Sequence, residues 1–236
     1  MERKFTESII YRVIKYSDNS AIAFSFSKEY GKLKLFIPKA YSKKNGILSF
    51  VPGEIDFLKK DNSDLNKLYS FRPNPDYKYF IEEPIIYLRL TLIFDVFDNL
   101  YDVSQKEDIL WNMILRLRQD NVYNATIFII YTLLKKSGYM FEFYHCQNCG
   151  CEINGNATLI DGFTYCKTCK NNGYIKINTD DLLILKALNN TDLYKKLKIT
   201  LRKELSILEI FIKHIEVATG KGLKSFSTFK SLVSSL

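Results

Sequence analysis

The residues best able to do chemistry are five cysteines, four of which form two matched pairs: Cys146-Gln-Asn-Cys149 and Cys166-Lys-Thr-Cys169. Sixteen residues separate the pairs, within the roughly 15–20 expected of a four-thiolate zinc site. Each short knuckle delivers two sulfurs to one side of a tetrahedron, and the intervening chain joins the two sides. Gly150 suits the tight turn after the first knuckle. Between the knuckles, Ala157 to Ile160 and Phe163 to Tyr165 flank Asp161-Gly162, a pattern that predicts a hairpin. The segment from about 144 to 175 therefore reads as a zinc ribbon. A thioredoxin-like redox site needs a single Cys-x-x-Cys, and structural disulfides are disfavoured in a cytosolic chain. Cys151 and His145 sit beside the first knuckle without keeping its spacing, so Cys146, Cys149, Cys166 and Cys169 are the expected ligands. Four protein ligands close the coordination sphere, which makes the expected zinc structural.

Catalytic side chains are scarce. The two histidines are His145 and His214, and His214 reads as a rim residue of an amphipathic helix. No His-Glu-x-x-His or Gly-x-Ser-x-Gly occurs. Gly220-Lys-Gly-Leu-Lys-Ser225 lacks the gap of a phosphate-binding loop and follows a helix instead of opening one. The acidic pairs Glu82-Glu83, Glu107-Asp108 and Asp180-Asp181 fit helix starts, where they complement the dipole. The expectation is a protein that is not an enzyme.

Charge points to a polyanion. The net charge of +8 is unevenly spread: residues 1–75 carry 14 basic and 8 acidic groups, and residues 195–236 carry 9 and 3, while the middle is slightly acidic. Clustered cations neutralise phosphates and release counterions, which favours nucleic acid over membrane. Lys28 to Lys44 holds six lysines against one glutamate. Lys32, Lys34 and Phe36 fall on one strand face, combining charge with a ring that can stack on a base. With Lys39, Lys43 and Lys44 they are the expected nucleic-acid contacts.

The elements that must position these residues follow from periodicity. Strands are expected over 9–16, 21–27 and 32–37, then 47–60 with a break at Pro52-Gly53, and finally 66–71. In the second, Ile22, Phe24 and Phe26 alternate with Ala23 and Ser25; in the third, Leu33, Leu35 and Ile37 share a face. Five short strands in about 75 residues suit a small barrel such as the oligonucleotide-binding fold. Arg72-Pro73-Asn74-Pro75 marks a boundary. Beyond it, helices are expected over 81–100, 106–119 and 122–137, and Leu201, Leu205, Leu208, Ile212 and Ile215 form a late helical stripe. The expected architecture is α+β, with a barrel domain over 1–75 and a mostly helical domain over 76–236 carrying the ribbon. Met1 to Tyr11 has no signal-peptide core, and the apolar run Ala125 to Leu134 is about half a bilayer crossing. The expected location is cytoplasmic, away from membranes.

Together these features resemble the RecO family of bacterial recombination mediators. The resemblance rests on Ser17-Asp-Asn-Ser20 leading to Phe26-Ser-Lys-Glu-Tyr-Gly31, and on the basic run from Lys32 to Lys44. It extends through Leu48-Ser-Phe-Val-Pro-Gly53, Leu133-Leu-Lys-Lys-Ser-Gly138, the four knuckle cysteines and Gly220-Lys-Gly-Leu-Lys-Ser225. Pro38 and Tyr41 stand where the family often has Gly and Arg. The resemblance implies an oligonucleotide-binding barrel, a helical domain interrupted by a zinc ribbon, and binding and annealing of single- and double-stranded DNA. It also implies RecR and the acidic tail of single-stranded-DNA-binding protein as partners, and help in loading RecA onto coated DNA. A zinc-ribbon nuclease and a protein-binding scaffold are the alternative readings.

Overall fold

The computed structural model describes residues 2–41, 47–59, 64–101, 106–170, 172–173 and 175–233. Strands β1 (Glu2–Ser17), β2 (Ser20–Ser27), β3 (Gly31–Pro38), β4 (Pro52–Lys59) and β5 (Leu65–Pro73) form a closed barrel in the order β1-β2-β3-β5-β4. β1 pairs with both β2 and β4, so its sixteen residues bend around two sides of the barrel, with a register shift between Ile10 and Arg12. A short parallel seam, Lys34 to Phe36 of β3 against Leu65 to Lys67 of β5, completes the ring.

The interior is filled by Ile10, Ala21, Ala23, Leu33, Leu35, Ile37, Ile55, Phe57 and Leu68. On β2 it is the small residues that turn inward, because a five-stranded barrel leaves little room. Ile22 and Phe24 are half-buried on the outside, and Phe26 is buried against Trp111, ring centroids 5.7 Å apart. The expected break at Pro52-Gly53 is instead the start of β4, where a missing N–H is tolerated. Gly53 has no room for a side chain: a Cβ there would lie 2.4 Å from the Arg72 carbonyl oxygen of β5.

The chain divides into two compact units. The first comprises Met1–Phe94 and Asp102–Leu117. Besides the barrel it holds a 3-10 turn (Pro75–Tyr77) capped by Asn74, helix α1 (Tyr79–Glu82) and helix α3 (Asp108–Leu115). Helix α2 (Pro84–Leu100) begins here, the expected 81–100 helix being split at Glu83-Pro84. Tyr11 stacks on Phe94 at 4.9 Å, and Phe80 and Trp111 are buried.

The second unit comprises Asp95–Tyr101 and Arg118–Leu236. Helix α4 (Val122–Ser137) ends at Gly138, whose φ of 79° closes the helix in the left-handed region. It packs on α7 (Leu201–Thr219), which Thr200 caps by accepting from the Lys203 amide. Helices α5 (Thr179–Leu188), α6 (Thr191–Lys195) and α8 (Lys224–Val233) complete the helical part. The ribbon forms a three-stranded sheet, β7-β6-β8, from β6 (Ala157–Ile160), β7 (Phe163–Cys166) and β8 (Ile175–Ile177). Asp161 and Gly162 both have positive φ (50° and 83°), the backbone of the expected two-residue hairpin turn. No helix among the described residues is long and apolar enough to cross a membrane.

His214 is not a rim residue. It is 5% exposed on α7, its Nε2 bonded to the Tyr139 carbonyl at 2.6 Å and its ring against Phe141. Burial pulls its pKa below 6.5, and the Tyr139 bond only partly opposes this. Below pH 6.5 the unfolded chain therefore binds a proton that the folded one refuses, and stability falls as pH drops. His214→Gln should flatten the dependence of unfolding free energy on pH below 6.5. Parallel denaturant titrations of both proteins at several pH values check this, and identical pH slopes would refute it.

Candidate functional site

Residues Cys146, Cys149, Cys166 and Cys169 converge: their sulfurs all lie within 4.8 Å of one another. Two features of the fold bring them together. Gly150 takes φ 68° and donates to the Cys146 carbonyl at 2.8 Å, closing the first knuckle. The β6–β7 ladder pairs Ala157 with Cys166, setting the second knuckle beside the first. Tetrahedral zinc with bonds of about 2.3 Å needs sulfurs about 3.8 Å apart, and Cys149 and Cys166 are 3.9 Å apart.

The electrostatics also suit a cation. Burial opposes charge on Cys146, yet the amides of Cys166, Cys149 and Asn148 directed at its sulfur carry its pKa down to about 6. Asn148 favours the Cys169 thiolate through a 3.4 Å contact, but neighbouring Cys149 and Cys166 push that group up to about 11. The Cys169 amide likewise holds the Cys166 thiol below its usual range, so two thiolates are favoured by amides while a further charge at Cys169 is repelled, a cost that a divalent cation removes. These four residues fit a tetrahedral thiophilic metal, which would tie the two knuckles together. Cys151 lies 3.2 Å from Cys149 but outside the four, and contact with Cys149 together with burial pushes it up to about 12. His145 is exposed, forms an isolated bridge with Glu152 and is not one of the four that converge.

On the barrel, Lys34 is exposed, while Lys32 and Phe36 are half-buried. Strand register places Lys34 opposite Phe24, and Phe24 opposite Arg12. The Arg12 guanidinium lies 4.0 Å over the Phe24 ring. The adjacent row is Ile14, Ile22 and Phe36, with the exposed Tyr16 ring edge-on to Phe36 at 5.8 Å. The outer face of β1–β3 is therefore cations interleaved with rings. Cations also lie over rings toward β4 and β5, Arg3 and Lys67 over Tyr69 and Lys59 over Tyr30, and there Arg3 is paired with Asp56 and Arg72 with Glu54. Arg12, Phe24 and Tyr16 are absent from the sequence-based set; their signal was the alternation of β2, which points its rings outward once Ala21 and Ala23 are inside. Lys39 is exposed with φ 53°, in the turn after β3. Lys43 and Lys44 lie outside the described residues.

No curated protein matches the chain in sequence. The family described as "Recombination protein O C terminal" matches residues 109–226, half of the chain, a span that contains both cysteine knuckles and helices α4 to α7. The matched span holds the four-cysteine cluster and most of the helical region, and the five-stranded sheet precedes it: the chain belongs to the RecO family and is a DNA-repair and recombination protein of that type.

Proposed function

We propose that the protein is a recombination mediator that works by binding and annealing DNA, without turnover chemistry. The observation that carries this reading is the β1–β3 face of the barrel, where Arg12, Phe24, Lys34 and Phe36 alternate charge and ring. Cations track a phosphate backbone, and each ring offers a stacking surface worth roughly 1–3 kcal/mol per base. Lys32 and Lys39 extend the same positive surface, and Lys43 and Lys44, which follow in the sequence, are proposed as further phosphate contacts. Family membership supports the wider role: loading RecA onto DNA covered by single-stranded-DNA-binding protein, with RecR and the acidic tail of that binding protein as partners. The four cysteines hold a structural zinc, which fixes the ribbon and takes no part in a reaction.

Neutralising phosphates removes the repulsion that keeps complementary strands apart. The protein should therefore speed annealing of complementary single strands without ATP, and lose that effect as salt rises. A fluorescence annealing assay with and without ATP measures this. Annealing at the spontaneous rate, in low salt and with protein that binds DNA well, would remove the mechanism. Magnesium-dependent cleavage of the strands in the same assay would favour the nuclease reading.

A further inference from the structure

Between the second knuckle and the start of α5 lies an open cavity of about 280 Å³. Its described lining contains no carboxylate. Lys167 and Lys176 contribute ammonium groups, and Asn156, Thr158 and Asn178 contribute neutral polar ones. Both asparagines spend their carbonyl oxygens on α5: Asn156 accepts from the Thr179 amide and hydroxyl at 3.1 Å, and Asn178 from the Asp181 amide at 2.8 Å. With two bonds accepted, Asn156 has only its NH₂ group left to offer. A cavity furnished with donors and two lysines is chemically a site for an anionic oxygen cluster.

Strand register turns the cavity into part of a larger surface. Thr158 pairs with Tyr165 on one side and Lys176 on the other, and Ile160 pairs with Phe163. Because side chains alternate, Phe163 and Tyr165 share a sheet face with Thr158 and Lys176, and Lys167, in the turn after β7, lines the cavity with those two. Phe163 is 48% exposed, and the Lys170 ammonium lies 4.2 Å over the Tyr165 ring. We infer that this face of the ribbon is a second binding site for single-stranded nucleic acid, with a backbone phosphate held between Lys167 and Lys176 and a base stacked on Phe163 or Tyr165. An acidic peptide would satisfy the donors but leave the row of rings without a role, whereas a nucleotide uses both. The inference rests on the protein being a nucleic-acid binder, but not on which barrel residues take part.

The test uses the full-length, zinc-loaded protein and a fluorescent oligothymidylate, with a barrel variant, Lys34→Ala, in parallel. Lys167→Ala with Lys176→Ala should lower the salt slope of binding by about 1.4, at roughly 0.7 per phosphate contact. Phe163→Ala, at an exposed position, should weaken affinity about 5-fold or more through the lost stacking surface. Zinc content and melting temperature should be unchanged in each. Oligonucleotides carrying bromodeoxyuridine should photocrosslink to Phe163 or Tyr165. Inorganic phosphate should compete only weakly, since it lacks the base. An unchanged slope with no crosslink, while Lys34→Ala does weaken binding, overturns the ribbon site and leaves the barrel reading standing. Tighter binding of an oligoaspartate peptide, insensitive to Phe163→Ala, also overturns it. Failure of the unaltered protein to bind the oligonucleotide at all overturns both readings.

Discussion

Cys166→Ser, or removal of the metal by a strong chelator, is expected to unfold the ribbon while the barrel unit keeps its structure. Binding of structural zinc in small zinc-finger peptides is worth roughly 10–16 kcal/mol at neutral pH, as much as the whole stability of a typical domain. Little else holds the knuckles. Of the four sulfurs only Cys146 is buried, and the sheet beside them has strands of four, four and three residues. Hydrogen exchange should show protection lost across β6, β7 and β8 and retained in β1 to β4, with about one zinc per chain released. The damage should reach the helical part, since Lys186 of α5 pairs with Glu152 beside the first knuckle and Asn156 braces the start of α5. Purified protein with no bound zinc, or a Cys166→Ser variant with unchanged exchange, would contradict the expectation.

Replacing Lys39, Lys43 and Lys44 together by alanine is expected to have the largest effect on DNA. If all three touch phosphate, the salt slope for single-strand binding falls by about 2, at roughly 0.7 per contact. Between 50 and 200 mM salt the unaltered protein should then lose roughly 16-fold more affinity than the variant, the fourfold salt ratio raised to that slope difference. Fluorescence anisotropy over a salt series reads the slope directly. A loss of affinity with the slope unchanged would point to damage in the turn after β3, where Lys39 already holds a left-handed backbone.

How much of this was legible in the sequence depended on whether the signal was local. Lys32 to Ile37 alternates cleanly and is a strand; Val122–Ser137 repeats with helical period, ends at a glycine, and has the expected bounds. The knuckle spacing is also local, and the four sulfurs meet as it implies. Other features were set by partners distant in the chain. The parallel pairing of β3 with β5 leaves no mark on either strand's own pattern. β8 is three residues long, too short to show a period, and exists because β6 offers it an edge. On β2 the larger side chains look like core in isolation, and only the narrow bore of the barrel turns Ala21 and Ala23 inward. His214 lies on a helix with a broad buried stripe, and the loop carrying Tyr139 and Phe141 seals it from solvent.

Closure of the barrel by the β3–β5 seam restricts how that unit can meet a partner. Each of the five strands has a ladder partner on both sides for part of its length, so little continuous backbone edge is left for an extended peptide to join by β-augmentation or for two barrels to fuse edge to edge. Recognition there falls mainly to side chains on the outer wall and to the loops. The ribbon sheet is different. Its outer strands β7 and β8 each have one ladder partner, which leaves them, among the described strands, as the places where a borrowed strand could dock.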